Sequence, residues 1–240
     1  MAKDLELNRE VALKEIQQRH LHDTASRERF ILEAEITGGL QHPGIVPVYG
    51  LGRFADGSPF YAMRFIRGDS LKAAIEAYHQ PETQKPKAPD ERRRDLRKLL
   101  GRLIDVCNAM EYAHSRGVLH RDLKPGNIML GKYGETLVVD WGLAKAQGRK
   151  DITSDEPSLV PSSAMSISGQ TRPGFALGTP AYMSPEQAAG KLDDLGPETD
   201  VYSLGATMYH LLTGQVPFKG TADEVIQKVP QGQFAPPHTS

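Results

Sequence analysis

The stretch of sequence that decides the fold is His120-Arg121-Asp122-Leu123-Lys124-Pro125-Gly126-Asn127. A second short stretch, Asp140-Trp141-Gly142, follows it after a hairpin-like segment. Together they place a carboxylate, a lysine and an amide at short fixed spacing, with a second carboxylate further along the chain. Transfer of a phosphoryl group from a nucleotide to a hydroxyl needs such a set. One group must orient the acceptor, a cation must neutralise the phosphate, and two ligands must hold metal.

These motifs resemble those of the protein kinases, and the lysine two residues after Asp122 is similar to that of the serine/threonine branch. The resemblance covers about residues 5–229 and is strongest with bacterial serine/threonine kinases, on the stretches His42-Pro43-Gly44-Ile45-Val46, Lys124-Pro125-Gly126-Asn127 and Tyr182-Met183-Ser184-Pro185-Glu186-Gln187. It implies an α+β, two-lobed fold. A small β-rich N-lobe would span residues 1–66, and a helical C-lobe would span residues 67–240.

Composition limits the class of protein. The chain has 240 residues, 39% hydrophobic and 25% charged, as in ordinary globular proteins. A net charge of -1 argues against nucleic-acid binding through bulk charge. The single cysteine, Cys107, excludes an intrachain disulfide, and we expect it to be a small buried apolar residue. No apolar run approaches the roughly 18 residues of a membrane span, and residues 1–10 lack an apolar signal core. The sequence therefore predicts a cytoplasmic chain, whose parent protein could be anchored elsewhere.

The periodicity of apolar residues predicts the main elements. Strands are expected over residues 9–16, 45–51 and 59–66, the last two joined by a turn at residues 55–58. Helices are expected over residues 24–37, 70–78 and 200–212, and over a long span that begins at Asp90 as N-cap. Gly38-Gly39 should end the first of these, Gly117 the long one and Gly214 the last. Residues 79–89 and 147–173 read as loops, the second an unlikely part of any core. The basic run of residues 92–94 reads as a solvated helix face.

The nucleotide site follows from the resemblance. Lys14, within Val11-Ala12-Leu13-Lys14, would hold the α- and β-phosphates of ATP. Glu33 would pair with Lys14, with Glu35 as the alternative partner. The adenine pocket would be formed by a gatekeeper, Met63, by the hinge residues Arg64, Phe65 and Ile66, and by Ala12 and Met129 on either side of the base. The alternative for each of these is ordinary core or strand packing.

The catalytic residues follow in the same way. Asp122 would orient a Ser or Thr hydroxyl and accept its proton, and Lys124 would offset the charge of the transferred phosphoryl group. Asn127 and Asp140 would be the ligands of Mg2+, which prefers oxygen. Thr179 would bridge Asp122 and Lys124 by hydrogen bonds.

Four further residues have supporting roles on the same resemblance. His120 is expected to pack and hydrogen-bond within the catalytic loop, and Arg121 to pair with a phosphate on the activation segment. Trp141 stands where the family has phenylalanine and would pack under the helix that carries Glu33. Asp200 would hold the backbone of the catalytic loop. Candidate phosphorylation sites lie between residues 143 and 177, namely Thr153, Ser154, Ser158, Ser162, Ser163, Ser166, Ser168 and Thr171.

Two family features are not found in this sequence. Residues 1–13 contain no glycine, so the glycine-rich phosphate loop ahead of Lys14 is missing. The last helices of the family, with the arginine that normally pairs with the residue matching Glu186, are also missing. We therefore expect exposed apolar surface on both lobes and marginal stability.

The sequence predicts a serine/threonine protein kinase that transfers the ATP γ-phosphate to protein substrates, with autophosphorylation in trans. The first alternative is a pseudokinase or inactive fragment that acts as a binding or scaffold module. The missing phosphate loop favours it, whereas the presence of Lys14, Asp122, Asn127 and Asp140 argues against it. The second alternative is a small-molecule kinase. The Gly-Thr-Pro-Ala-Tyr and Ser-Pro-Glu motifs argue against that, because they build a protein-substrate groove.

Overall fold

The computed structural model describes residues 1–17, 21, 23–80, 88–146, 158–159, 161 and 178–237. Its first lobe is an antiparallel sheet of β1 (Ala2–Asp4), β2 (Arg9–Glu15), β3 (Val48–Arg53) and β4 (Pro59–Arg64), in the order β1-β2-β4-β3, with one helix, α1 (Thr24–Gly39). In the register of β2 on β4, Ala12 lies opposite Met63 and Lys14 opposite Tyr61. The lysine of the predicted nucleotide site is thus on a central strand.

The second lobe is mostly helical. It comprises β5 (Gly68–Ser70), α2 (Leu71–His79), α3 (Pro89–Ser115), β6 (Val118–Leu119), β7 (Ile128–Gly131), β8 (Thr136–Val138), β9 (Lys145–Ala146), α4 (Pro185–Ala188), α5 (Pro197–Thr213) and α6 (Ala222–Lys228). Short 3₁₀ turns cover Pro125–Asn127, Pro180–Tyr182, Leu192–Asp194 and Val229–Gln231. The predicted α+β fold with a sheet lobe and a helical lobe is confirmed, and residues 65–67 join the two.

Several predicted boundaries shift. The strand expected from residue 45 begins at Val48, because Pro47 has no N–H to donate to a ladder. Helix α1 runs through both glycines to Gly39, with Leu40 as its C-cap. Asp90 is not the N-cap of α3; Ala88 takes that place and Pro89 the first helical position, which suits a residue without an N–H. The predicted closures at Gly117 and Gly214 are present, with φ of 74° and 72°.

One apolar cluster joins both lobes, including Ile36, Leu71, Met110, Leu123, Trp141 and Leu211. Helix α3 contributes Leu103, Val106 and Met110 to the buried side. The prediction that Cys107 is buried is wrong: it is exposed, as is Ile104 at 61%. Both residues lie beside that face of α3 rather than on it. Exposed apolar side chains occur on both lobes, for example Leu5, Leu51, Val201 and Met208.

The long stretch predicted to lie outside the core contacts it through Leu159. Leu159 packs against the main apolar cluster, and its N–H donates to the carbonyl oxygen of Arg116 at 3.0 Å. A Cβ added to Gly39 would lie 2.3 Å from Leu159 Cδ1, so the end of α1 is directly against this side chain. The predicted exclusion of this segment from the core is therefore wrong at Leu159. Of the candidate phosphorylation sites, only Ser158 lies within the described residues.

No helix within the described ranges has the length and apolar character needed to cross a bilayer.

Candidate active site

The first half of the site is a cluster of charges beneath the sheet. Lys14 Nζ lies 2.5 Å from Glu33 Oε1 and 2.6 Å from Asp140 Oδ1. The predicted partner Glu33, rather than the alternative Glu35, thus meets the lysine. Burial on its own would lower the pKa of Lys14, but the charges of Glu33 and Asp140 outweigh burial and raise it. The ammonium group is therefore held charged between two carboxylates.

Helix α1 delivers Glu33 to this cluster. Asp23 caps the helix by accepting from the N–H of Ser26, and the buried side of α1 carries Phe30 and Glu33. Glu33 is only 6% exposed, so its charge needs partners. Besides Lys14, it accepts a 2.7 Å hydrogen bond from the hydroxyl of Tyr61, whose pKa is raised by burial and by Glu33. Sequence reasoning missed Tyr61, because its place opposite Lys14 is set by the strand register of the folded sheet.

Asp140 supplies the carboxylate that faces the opening. Its side chain is 49% exposed, and its φ of 63° is unusual for a residue other than glycine. Burial opposes ionisation, but the nearby Lys14 charge outweighs it, so the pKa of Asp140 is lowered. At neutral pH this exposed carboxylate is ionised and can bind a cation.

The second half of the site centres on Asp122. Thr179 Oγ1 donates to Asp122 Oδ1 at 2.8 Å, while Lys124 Nζ lies 2.6 Å from both Asp122 Oδ2 and Thr179 Oγ1. The predicted bridge between Asp122 and Lys124 through Thr179 is thus formed. Gly178 precedes it with a φ of 120°, where an added Cβ would meet the carbonyl oxygen of Arg121 at 3.0 Å. Only glycine brings the chain that close.

Asn127 lies directly beside this group. It belongs to the 3₁₀ turn Pro125–Asn127 and is 6% exposed. Its Nδ2 donates to the carbonyl oxygen of Asp122 at 2.9 Å, while its own carbonyl accepts from the N–H of Val139 at 2.9 Å. The amide nitrogen is therefore committed to the loop, which leaves the side-chain oxygen for a cation.

Asp200, on α5, supports the loop that carries Asp122. It is fully buried and accepts from the N–H groups of His120 and Arg121 at 2.9 and 2.8 Å, and it lies 2.8 Å from His114 Nε2. Burial opposes its ionisation, but the bond with His114 and nearby positive charge lower its pKa. The same carboxylate therefore fixes two consecutive peptide groups, as the sequence predicted.

His120 and Arg121 take different environments within this loop. The His120 Nδ1 accepts from the N–H of Asp122 at 3.2 Å, and its Nε2 faces the carbonyl oxygen of Val139 at 3.2 Å. Arg121 has a φ of 64°, and its Nε donates to the carbonyl oxygen of Leu143 at 2.5 Å. Burial lowers the pKa of Arg121 to about 10, against the opposing effect of Asp200. His120 thus packs and bonds locally, whereas Arg121 reaches the start of the activation segment.

Trp141 lies behind these groups in the shared core. It is 1% exposed, its ring centroid is 4.7 Å from that of His120, and it shares its apolar cluster with Ile36 of α1. It therefore takes the predicted position under the helix of Glu33. Among the described residues, its indole Nε1 has no hydrogen-bond partner. A phenylalanine would leave no such group unpaired.

The residues of the predicted adenine pocket are half-buried. Ala12 and Met63 lie opposite one another in the sheet, and Met129 pairs with Leu137 on β7 and β8. Phe65 and Ile66 form the connection between the lobes. Two ion pairs that sequence reasoning missed border this connection, Arg64 with Glu135 at 2.7 Å and Arg67 with Glu10 at 2.5 Å. Charge pairing across a loop leaves no local sequence signal.

Comparison with known proteins agrees with this geometry. A model of the protein kinase domain matches residues 1–236. The serine/threonine-protein kinase PknD of Protochlamydia amoebophila is 40% identical over 97% of this chain and 23% of its own length. Those of Chlamydia trachomatis serovar D and Chlamydia pneumoniae are 38% and 35% identical over 91% and 99% of the chain. The chain spans about a quarter of the length of these relatives. It belongs to the protein kinase family, in the serine/threonine branch.

Proposed function

We propose that this chain transfers the γ-phosphate of ATP to Ser and Thr hydroxyls of protein substrates, autophosphorylation in trans included. The observation that carries the proposal is the pair of preassembled groups, Lys14 between Glu33 and Asp140, and Asp122 with Lys124 and Thr179. The first group suits the phosphates of a nucleotide and the second an acceptor hydroxyl. We further propose a cytoplasmic location and a division into lobes at residues 1–66 and 67–240.

Each residue has a proposed role in that reaction. Asp122 orients the acceptor hydroxyl and takes its proton, and Lys124 neutralises charge on the transferred group. Lys14 contacts the α- and β-phosphates, positioned by Glu33. Adenine is held by the hinge residues Phe65 and Ile66, by the gatekeeper Met63, and between Ala12 and Met129.

The donor set fits a magnesium ion. Asp140 presents an exposed, ionised carboxylate, and Asn127 has its nitrogen engaged so that its oxygen is available. Mg2+ is usually held by one or two protein ligands together with phosphate oxygens and water. When bound, the ion would neutralise charge on the phosphates. Asn127 and Asp140 are its proposed ligands.

The competing proposal is a non-catalytic binding module. It draws on the absence of glycine from residues 1–13, the stretch that precedes Lys14. Against it, a module that only binds has no need of a threonine hydroxyl held between Asp122 and Lys124. We therefore favour catalysis.

The test is autophosphorylation with magnesium and ATP, read as intact mass. We compare the wild type with Asp122→Asn, Asp140→Asn and the exposed control Asp90→Asn. We expect the control to gain mass at the wild-type rate. In Asp122→Asn the rate of mass gain should fall about 10²–10⁴-fold, which would support general-base catalysis. No gain in a folded chain, and none in an N-terminally extended chain, would refute the proposed catalysis and leave the non-catalytic alternative. Phosphorylation of sugars or aminoglycosides in preference to peptides would instead show a small-molecule kinase.

A further inference from the structure

A buried histidine contacts the segment that holds the acceptor-side threonine. The hydroxyl of Tyr182 lies 2.8 Å from His210 Nδ1. Tyr182 ends the 3₁₀ turn Pro180–Tyr182, whose N-cap is Thr179, the residue bonded to Asp122. His210 is 7% exposed and belongs to α5. A contact at His210 therefore acts on Thr179 through one short, rigid turn.

Helix α5 binds this turn at a second point as well. The Ser203 hydroxyl donates to the carbonyl oxygen of Tyr182 at 2.9 Å. The same helix carries Asp200, which holds the catalytic loop. One helix thus fixes both Asp122 and its threonine partner. The distance between the catalytic carboxylate and the acceptor segment depends on α5 at Ser203 and His210.

The surroundings of His210 favour its neutral form. Burial is the largest effect and lowers the pKa of His210 from the ordinary value of 6.5. The charge of Glu76 opposes this, whereas His79 and Lys72 lower the pKa further, so the net shift is downward. These three groups all lie on α2, and Tyr182 is the titratable group on the facing turn. Burial raises the pKa of Tyr182 to about 12, with a further contribution from Glu76. Both partners are therefore neutral at pH 7, and the phenol can donate to an unprotonated Nδ1.

We propose that neutral His210 is a positioning residue for protein substrates, which holds the segment from Thr179 to Tyr182 in its binding geometry and releases it on protonation. This inference rests on the proposed kinase function. His210 belongs to neither of the two preassembled groups of the site and acts through Tyr182.

The chemistry of imidazole explains the release. A protonated imidazole has two N–H donors and no acceptor, so the Tyr182 hydroxyl loses the group to which it donates. The charge is also buried, which adds a cost that an exposed histidine would not have. When the segment from Thr179 to Tyr182 is docked on α5, protonation of His210 is disfavoured. Docking of this segment should therefore weaken as pH falls below about 6.5. The Michaelis constant for a peptide should rise over that range, while that for ATP should not.

The test uses a matched set of variants. His210→Gln keeps an acceptor at this position but cannot titrate, and Tyr182→Phe keeps the ring but removes the hydroxyl. We measure the KM for an acceptor peptide and for ATP, and kcat, between about pH 5.5 and pH 8, a range that brackets the imidazole titration. The wild-type peptide KM should rise several-fold toward acid, and in His210→Gln that rise should disappear. Tyr182→Phe should raise the peptide KM about 2–10-fold at pH 7.5, the cost of one neutral hydrogen bond.

Two outcomes would overturn the inference. One is a wild-type acid rise in peptide KM that persists in His210→Gln. The other is Tyr182→Phe with an unchanged peptide KM. A third readout does not need activity: in the chain without nucleotide, ¹⁵N NMR of the His210 ring should show a neutral ring that titrates below 6.5, together with a shift of the Tyr182 ring signals. If phosphoryl transfer is absent but this titration is present, the proposed function fails while the pH-dependent coupling of His210 to Tyr182 stands. Titration of the His210 ring at pH 6.5 or above, without a change in the Tyr182 signals, would refute the coupling and leave the proposed kinase function untouched.

Discussion

Replacing Asp200 by asparagine should strongly destabilise the chain. Asp200 is fully buried and bonds two consecutive backbone N–H groups, of His120 and Arg121, as well as His114. Asparagine has nearly the same shape, but its amide has only one oxygen. Its NH₂ group must face one of the two backbone donors, and the negative charge is lost.

The magnitude follows from these contacts. A hydrogen bond to a charged group contributes about 1.5–3 kcal/mol, and a buried donor left without a partner costs about 1–3 kcal/mol. One bond is lost outright and another is weakened, so we expect a loss of about 3–5 kcal/mol. Domains are typically stable by only about 5–15 kcal/mol. Asp200→Asn should therefore bring the chain close to the limit of folding.

Urea unfolding measures this directly. Trp141 is the only tryptophan, and it is buried against His120, so its fluorescence reports on the loop held by Asp200. Asp193→Asn, an exposed change in the turn Leu192–Asp194, is the control and should cost less than about 0.5 kcal/mol. A loss below about 1 kcal/mol in Asp200→Asn would refute the reasoning, because it would mean that the two N–H groups find other partners.

The same carboxylate predicts a dependence on pH. The pKa of Asp200 is lowered from 3.8 in the folded state. Its stabilising contribution is therefore complete above that value and is lost as pH falls through the folded pKa. The difference in unfolding free energy between the wild type and Asp200→Asn should be constant near neutral pH and shrink only below about pH 4. A difference that already shrinks between pH 7 and 5 would show that another group controls the loop.

Three further substitutions, two of them with a matched control, test the packing. Gly214→Ala, at the C-cap of α5, should lose about 1–2 kcal/mol, because φ is 72° and the new Cβ would lie 2.7 Å from His79 Cγ. Gly205→Ala, inside α5 where the new Cβ would point into open space, should gain about 0.5–1 kcal/mol. Equal effects in urea unfolding would contradict this. Trp141→Phe should change stability by less than about 1 kcal/mol in melts followed by circular dichroism, since removing a buried unpaired N–H offsets the lost apolar contact. Leu159→Asp should cost about 1–3 kcal/mol and speed hydrogen exchange at the end of α1, whereas Leu159→Met should not.

The sequence predicted well what short motifs encode. The order of Asp122, Lys124, Asn127 and Asp140 placed the site, and the resemblance placed Thr179 beside Asp122 across a long sequence separation. Helix ends at glycines with positive φ, such as Gly214, were also predicted, because the signal lies in the residue itself.

The predictions that failed concern residues whose environment is set by tertiary contacts, or positions where a neighbouring residue suits the same role better. Asp90 is a good capping residue, but Pro89 beside it fits the first helical position better and moved the helix start. Cys107 follows the apolar spacing of α3, yet that long helix buries only a narrow side. The partners Tyr61 and His210 were missed because nothing near them in the sequence marks the group that they contact.

Leu159 fastens one point of the long activation segment to the end of α1. Its side chain packs against the main apolar cluster, and Gly39, the last residue of α1, lies directly against it. The same helix carries Glu33, the partner of Lys14. A change that withdraws Leu159 from the core would therefore act on the Lys14–Glu33 pair through one helix, although Leu159 itself contacts neither residue's charge.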